Sequence, residues 1–128
     1  MIQEENYTET KFFFDSYAFF EIIKANKNYE KYTDSFVATT KLNLFELYNG
    51  LLKDMPEIAD SELDKYYLFV VDFDKEIIKE AAKMRVKLNK NNVSMTDCIG
   101  YILAKRLDIK FLTGDKEFKD LDNVEFVK

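Results

Sequence analysis

Strand-length apolar runs alternate along this chain with longer stretches whose apolar residues recur at helical spacing. Lys11-Phe-Phe-Phe-Asp15 is an aromatic run that ends on an acid, and its length and composition predict a buried strand. From Ser16 to Ala25 the positions of Phe19, Phe20, Ile22 and Ile23 predict a helix. The polar stretch 26–33 reads as a loop or short helix, and Ser35-Phe-Val-Ala-Thr39 as a second strand. Thr40 is placed to cap a helix over about 41–53, with Pro56 beyond its end. A short helix is expected over 60–65, and Tyr67-Leu-Phe-Val-Val71 reads as a third strand. Residues 74–89 put Ile77, Ile78, Ala81, Met84 and Leu88 on one side of a helix, which Asn91-Asn92 should break. Ser94 opens a helix to about Leu107, Ile109–Thr113 reads as a fourth strand, Gly114-Asp115 turns into a short helical piece through Phe118, and Val124–Val127 reads as a fifth strand.

Strands alternating with helices imply an α/β fold whose central, mostly parallel sheet of four to five strands is covered on both faces. The expected organisation is one domain over residues 11–128 behind a polar, flexible tail over residues 1–10. A chain of 128 residues with 47% apolar and 16% aromatic side chains, three glycines and one proline can bury a core without disulfides. No apolar run is long enough to span a membrane, and the first residues lack a signal-peptide pattern, so a cytoplasmic location is expected. Cys98, the single cysteine, falls on an apolar helix face and reads as a buried reduced thiol.

Composition also narrows the chemistry. The chain has no histidine, which excludes a Ser-His-Asp triad, a Cys-His pair and any zinc site that needs imidazole. A net charge of −5 argues against nucleic-acid binding by a simple basic surface. It leaves room for a metal-dependent nuclease, because bound cations invert the local sign of an acidic site.

Four acids stand at positions that an α/β fold can use. Ligands in such folds bind outside the carboxyl ends of the strands. Asp15 closes the first strand and Asp115 follows the fourth. Asp97 lies in the first turn of its helix, where Ser94-Met-Thr-Asp97 also fits a helix-capping box. Glu46 belongs to a narrow polar stripe with Asn43, Asn49 and Gly50, which otherwise reads as a solvated helix face. A glycine inside a helix is unfavourable, so Gly50 hints at a close approach.

The segments Thr-Asp97-Cys-Ile-Gly-Tyr, Phe-Leu-Thr-Gly-Asp115-Lys-Glu-Phe and Val-Glu-Phe-Val resemble the C-terminal half of a PIN domain. Phe-Phe-Phe-Asp15-Ser-Tyr-Ala-Phe resembles that family's opening strand, and Thr39-Thr-Lys-Leu-Asn-Leu-Phe-Glu46 its glutamate-bearing helix. The resemblance implies a three-layer α/β/α sandwich and an Mg²⁺- or Mn²⁺-dependent ribonuclease acting on RNA. Asp15, Glu46, Asp97 and Asp115 match the family's four acidic positions and are the expected catalytic and metal-binding residues. Thr113 matches a hydroxyl often found two residues before the last acid, and Asn43 is a second supporting residue. Many members are VapC-like toxins neutralised by a small antitoxin protein, and homodimers are common. A PIN-like scaffold that binds RNA or protein without cutting is the alternative.

Hard divalent cations take oxygen ligands, so carboxylates suffice for such a site. Phosphate contacts could come from Lys79, Lys83, Arg85, Lys87, Lys90, Lys105 and Arg106, although Glu76 and Glu80 beside them make an ordinary solvated face the simpler reading. Asp120 and Asp122 read as solvated turn residues.

Overall fold

The computed structural model describes residues 11–89 and 92–128. The tail expected over residues 1–10, together with Lys90 and Asn91, lies outside the described residues. Strand β1 spans Lys11–Phe14 and leads directly into helix α1, Ser16–Ile23. A 3₁₀ segment, Lys27–Tyr32, and strand β2, Phe36–Ala38, follow. Helices α2 (Lys41–Asp54), α3 (Pro56–Tyr67), α4 (Lys75–Leu88) and α5 (Met95–Arg106) precede β3 (Lys110–Thr113). A 3₁₀ turn, Lys116–Phe118, and β4 (Val124–Phe126) complete the described chain.

The four strands form one sheet in the order β2-β1-β3-β4, and every pairing is parallel. Successive side chains on a strand point to opposite faces, so this sheet sorts its aromatic residues by parity. Phe13 pairs in register with Phe111, and their rings stack at 5.9 Å. Both belong to the core that includes Ile77 and Ala81 of α4 and Ile99, Leu103 and Ala104 of α5. Phe14 and Leu112, the next registered pair, face the other way, toward Phe19 of α1, Leu44, Leu47 and Leu51 of α2 and Ala59 and Tyr66 of α3. Two separate cores, one on each side of the sheet, make the three-layer α/β/α arrangement.

Three expectations need correction. Residues 67–71 do not form a strand. Helix α3 continues to Tyr67, and only Val70 bridges the sheet, at Thr39. The cause is helical periodicity: Ile58, Ala59, Leu63 and Tyr66 recur along one side of α3 and pack into the second core, with Tyr66 against Phe19 at a ring separation of 4.6 Å. Tyr67 and Leu68 instead point to solvent, 53% and 82% exposed. The helix expected over 60–65 is therefore twice as long, because Pro56 starts it at a position where a missing N–H costs nothing. On α4, Ile77 and Ala81 are buried but Ile78 is half exposed, and the helix stops at Asn89 in the left-handed conformation (φ 51°).

The close approach hinted at by Gly50 is real: a Cβ there would stand 2.3 Å from the Phe20 ring. Gly100 is more tightly held, since a Cβ would meet Phe13 at 2.7 Å and Phe111 at 3.1 Å, both fully buried. Gly100→Ala should therefore cost about 1–3 kcal/mol through overpacking. Urea denaturation measures this loss, and an unchanged midpoint would show that the Phe13–Phe111 stack yields freely.

Candidate active site

All strands run the same way, so the residues that follow them collect on one rim. Asp15 follows β1, Thr39 and Thr40 follow β2, and Gly114 and Asp115 follow β3. Helices α1 and α2 begin on that rim. Helix α5 ends where β3 starts, so its first turn, with Asp97, returns to the same side. Two of the four acids feel the charge of others: Asp97 and Asp115 raise Asp15, and Asp115 and Glu46 raise Asp97.

Asp15 is the most enclosed of the four, 2% exposed. One carboxylate oxygen accepts the Ala18 N–H at 2.8 Å and so caps α1; the other accepts the Thr113 hydroxyl at 2.5 Å. The same Thr113 oxygen accepts the Asp115 N–H at 3.0 Å. One hydroxyl thus joins the ends of β1 and β3. Asp115 in turn accepts the Glu117 N–H at 2.9 Å, which starts the 3₁₀ turn.

Glu46 is half-buried in the second turn of α2. Its Oε1 accepts the Ser16 hydroxyl at 2.6 Å. Asn43 Nδ2 donates to that hydroxyl at 3.3 Å, and Asn43 Oδ1 accepts from Thr40 at 2.7 Å. Asn43 is fully buried, so this face of α2 is a polar support beneath Glu46 and not a solvated stripe. Ser16 escaped the sequence reading; the available signal was a hydroxyl immediately after a strand-ending acid. The Ser94 hydroxyl accepts the Asp97 N–H at 3.0 Å, so the helix-capping reading of this segment holds while the Asp97 carboxyl faces the other acids.

Burial foremost, and then the negative charge of Asp97, pushes the Asp15 carboxyl up to about 8; Asp115 adds to the rise, and the Thr113 and Ala18 hydrogen bonds oppose it. Burial, with help from Asp115 and Glu46, pushes Asp97 up to about 6 against the Ser94 hydrogen bond. Beside Asp97, burial lifts the Cys98 thiol to about 11, which leaves it protonated and unreactive.

Among the described residues, no three Asp, Glu or Cys side chains are arranged as a finished metal cage. Each of the four acids instead takes hydrogen bonds from its own surroundings or repels its neighbours. The donor set nevertheless fits a hard cation in kind: four carboxylates, no imidazole and a buried, protonated thiol. Bringing carboxylates together raises their pKa values, and a divalent ion reverses that effect.

The other expected residues lie apart from this rim or are already engaged. Asp122 accepts the Tyr101 hydroxyl and pairs with Lys105 at 3.5 Å, and Asp120 is exposed. Lys79 pairs with Glu76, Arg106 with Glu80, and Arg85 Nε donates to the Val93 carbonyl. These are the contacts of a solvated helix face and a helix end.

The sequence profile of the PIN domain family matches residues 12–124, and the chain belongs to that family. Its fold is shared by solved VapC proteins of low identity. VapC20 of Mycobacterium tuberculosis, a Sarcin-Ricin loop cleaving toxin, superposes with a TM-score of 0.74 at 16% identity, over 91% of this chain and 99% of that one. A toxin-antitoxin complex from Klebsiella pneumoniae gives 0.73 at 14% identity, over 88% and 94%. VapBC2 of Rickettsia felis, bound to promoter DNA, gives 0.68 at 18% identity, over 92% and 99%. No curated protein matches the chain.

The raised carboxyls set a pH dependence. In the metal-free folded protein Asp15 keeps its proton up to about pH 8, whereas the unfolded chain releases it near pH 4. Between these values the folded state binds more protons, so the stability Asp15 contributes is complete below about pH 4 and lost as pH rises through about 8. Asp97 acts with the same sign up to about pH 6. With EDTA present, the melting temperature of Asp15→Asn minus that of the unsubstituted protein should therefore grow from pH 5 to pH 8. A difference that stays flat or shrinks would show that these carboxyls are not held above the ordinary carboxylate range.

Proposed function

We propose that this chain is an Mg²⁺- or Mn²⁺-dependent endoribonuclease that hydrolyses RNA phosphodiester bonds. The observation that carries the reading is the meeting of four acids from β1, α2, α5 and the β3 end on one rim of a PIN fold, two of them held well above the usual carboxylate range. Asp15, Glu46, Asp97 and Asp115 would hold the metal and line the reaction centre. A bound divalent ion supplies electrophilic polarisation of the phosphate and an acidic water. The chain's own part is positional. Thr113 and the start of α1 fix Asp15; Ser16, steadied by Asn43, orients Glu46; and the Ser94-capped first turn of α5 carries Asp97.

We further propose a toxin role, with a small antitoxin protein as partner. The names of the similar structures support it: one is a toxin-antitoxin complex and another an RNA-cleaving toxin. Exposed Ile78, Val86 and Met95 beside one another on α4 and α5 offer an apolar surface for homodimer formation. No described helix is long and apolar enough to cross a membrane, in keeping with action in the cytoplasm.

Asp97→Asn should lower Mn²⁺-dependent cleavage of an RNA panel by about 10²–10⁴-fold while the circular dichroism spectrum stays unchanged. Millimolar Mn²⁺ should raise the melting temperature of the unsubstituted protein and not of Asp15→Asn. Absence of cleavage across the panel, with no thermal response to metal, would favour the non-catalytic scaffold.

A further inference from the structure

Lys79, Lys105 and Arg106 are paired with acids and Arg85 with the Val93 carbonyl, but one lysine is handled differently. The backbone after β4 is strapped down beside the acidic rim. Val127 N–H donates to the Thr113 carbonyl at 2.9 Å, and the Val127 carbonyl accepts the Tyr29 hydroxyl at 2.6 Å. The Lys128 carbonyl accepts from Asn28 at 3.4 Å and Asn26 at 3.5 Å. These bonds aim the Lys128 side chain back across the strand ends. Its ammonium donates to the Gly114 carbonyl at 3.2 Å and stands 5.4 Å from the centre of the Tyr17 ring.

Both anchors border the site. Gly114 lies between Thr113 and Asp115, and Tyr17 is two residues past Asp15. Neither anchor is an anion. An ammonium has three donors, and a carbonyl uses one; a ring face attracts the charge without neutralising it. Among the described residues no side-chain carboxylate is paired with the Lys128 ammonium. The result is an ammonium, with donors to spare, held beside an acidic rim. A phosphate that reaches the rim can take the donors left free on such an ammonium.

We propose that Lys128 binds a backbone phosphate of single-stranded RNA next to the bond to be cut, and that Tyr17 is the positioning residue that holds the ammonium there. The inference rests on the ribonuclease reading and adds to it the group that brings a polyanion onto an acidic surface. Lysine serves here as a point charge, so arginine should replace it in part, whereas glutamine should not.

The test uses the full chain carrying Asp97→Asn, so that bound RNA stays intact, and a fluorescent mixed-sequence RNA of about 12 nucleotides. Anisotropy gives the Kd from about 50 to about 250 mM salt. Adding Lys128→Gln should weaken binding about 5- to 10-fold and reduce the slope of log K against log salt by about 0.7, the loss of one phosphate contact. Lys128→Arg should restore most of the slope. Lys53→Gln, in the last turn of α2 and so away from the rim on which that helix begins, is the control and should change neither value. In the cleaving protein, Lys128→Gln should raise KM and leave kcat nearly unchanged, and melting curves should overlap.

An unchanged salt slope and KM in Lys128→Gln would overturn the proposal. So would equal losses in the Gln and Arg variants together with a lowered melting temperature, which would mark Lys128 as a structural strap. Cleavage by the unsubstituted chain is read separately: if it cuts RNA while Lys128→Gln behaves like it, only this inference fails; if it neither binds nor cuts RNA, both readings fail.

Discussion

The organising constraint is the burial, and with it the mutual repulsion, of carboxylates that the parallel sheet delivers to one rim. Four parallel strands and the helices between them leave their loops on the same side, so an acid at a strand end and an acid in a helix's first turn meet without any special loop. Meeting in a poorly solvated place is costly for charged groups. The protein lowers that cost with nearby donors: the α1 N-terminus and Thr113 at Asp15, the 3₁₀ turn at Asp115 and Ser16 at Glu46. The acids that remain most enclosed respond by holding protons more tightly. Rigid support and unfavourable electrostatics are thus two results of one topology.

Thr113 shows how little structure that support needs. Its hydroxyl gives its proton to Asp15 and receives the N–H of Asp115, so two acids from strands adjacent in the sheet share a single oxygen as go-between. Asn43 plays the matching part below Glu46. It is buried without being apolar, and its amide is spent on Ser16 and Thr40. Both side chains touch acids only at second hand or by one bond, yet each fixes where a carboxylate can point.

Much of this arrangement is legible in the sequence, and the failures have definite causes. Asp15 and Asp115 are readable because a short apolar run that stops on an acid marks a strand end. Helix starts at Thr40 and Ser94 are readable from their capping hydroxyls, and both cap as expected. Residues 67–71 misled because five apolar residues in a row satisfy a strand template, while the pattern that decides the matter begins eleven residues earlier at Pro56. The stripe with Asn43 left two readings open, a supporting residue or a solvated face, since a polar residue on a helix cannot be placed until its partners from another helix are known. Ser16 and Lys128 were invisible for a related reason: their partners come from segments far away in the chain, joined only by the fold.

The sheet's two outer members, β2 and β4, have three residues each, and β2 is further closed off by the bridge from Thr39 to Val70. A borrowed strand would find too few free backbone groups there to zip onto. Growth of this molecule into larger assemblies by extending its sheet is therefore discouraged from both ends, and companionship with any other chain has to be negotiated through side chains on the helical layers.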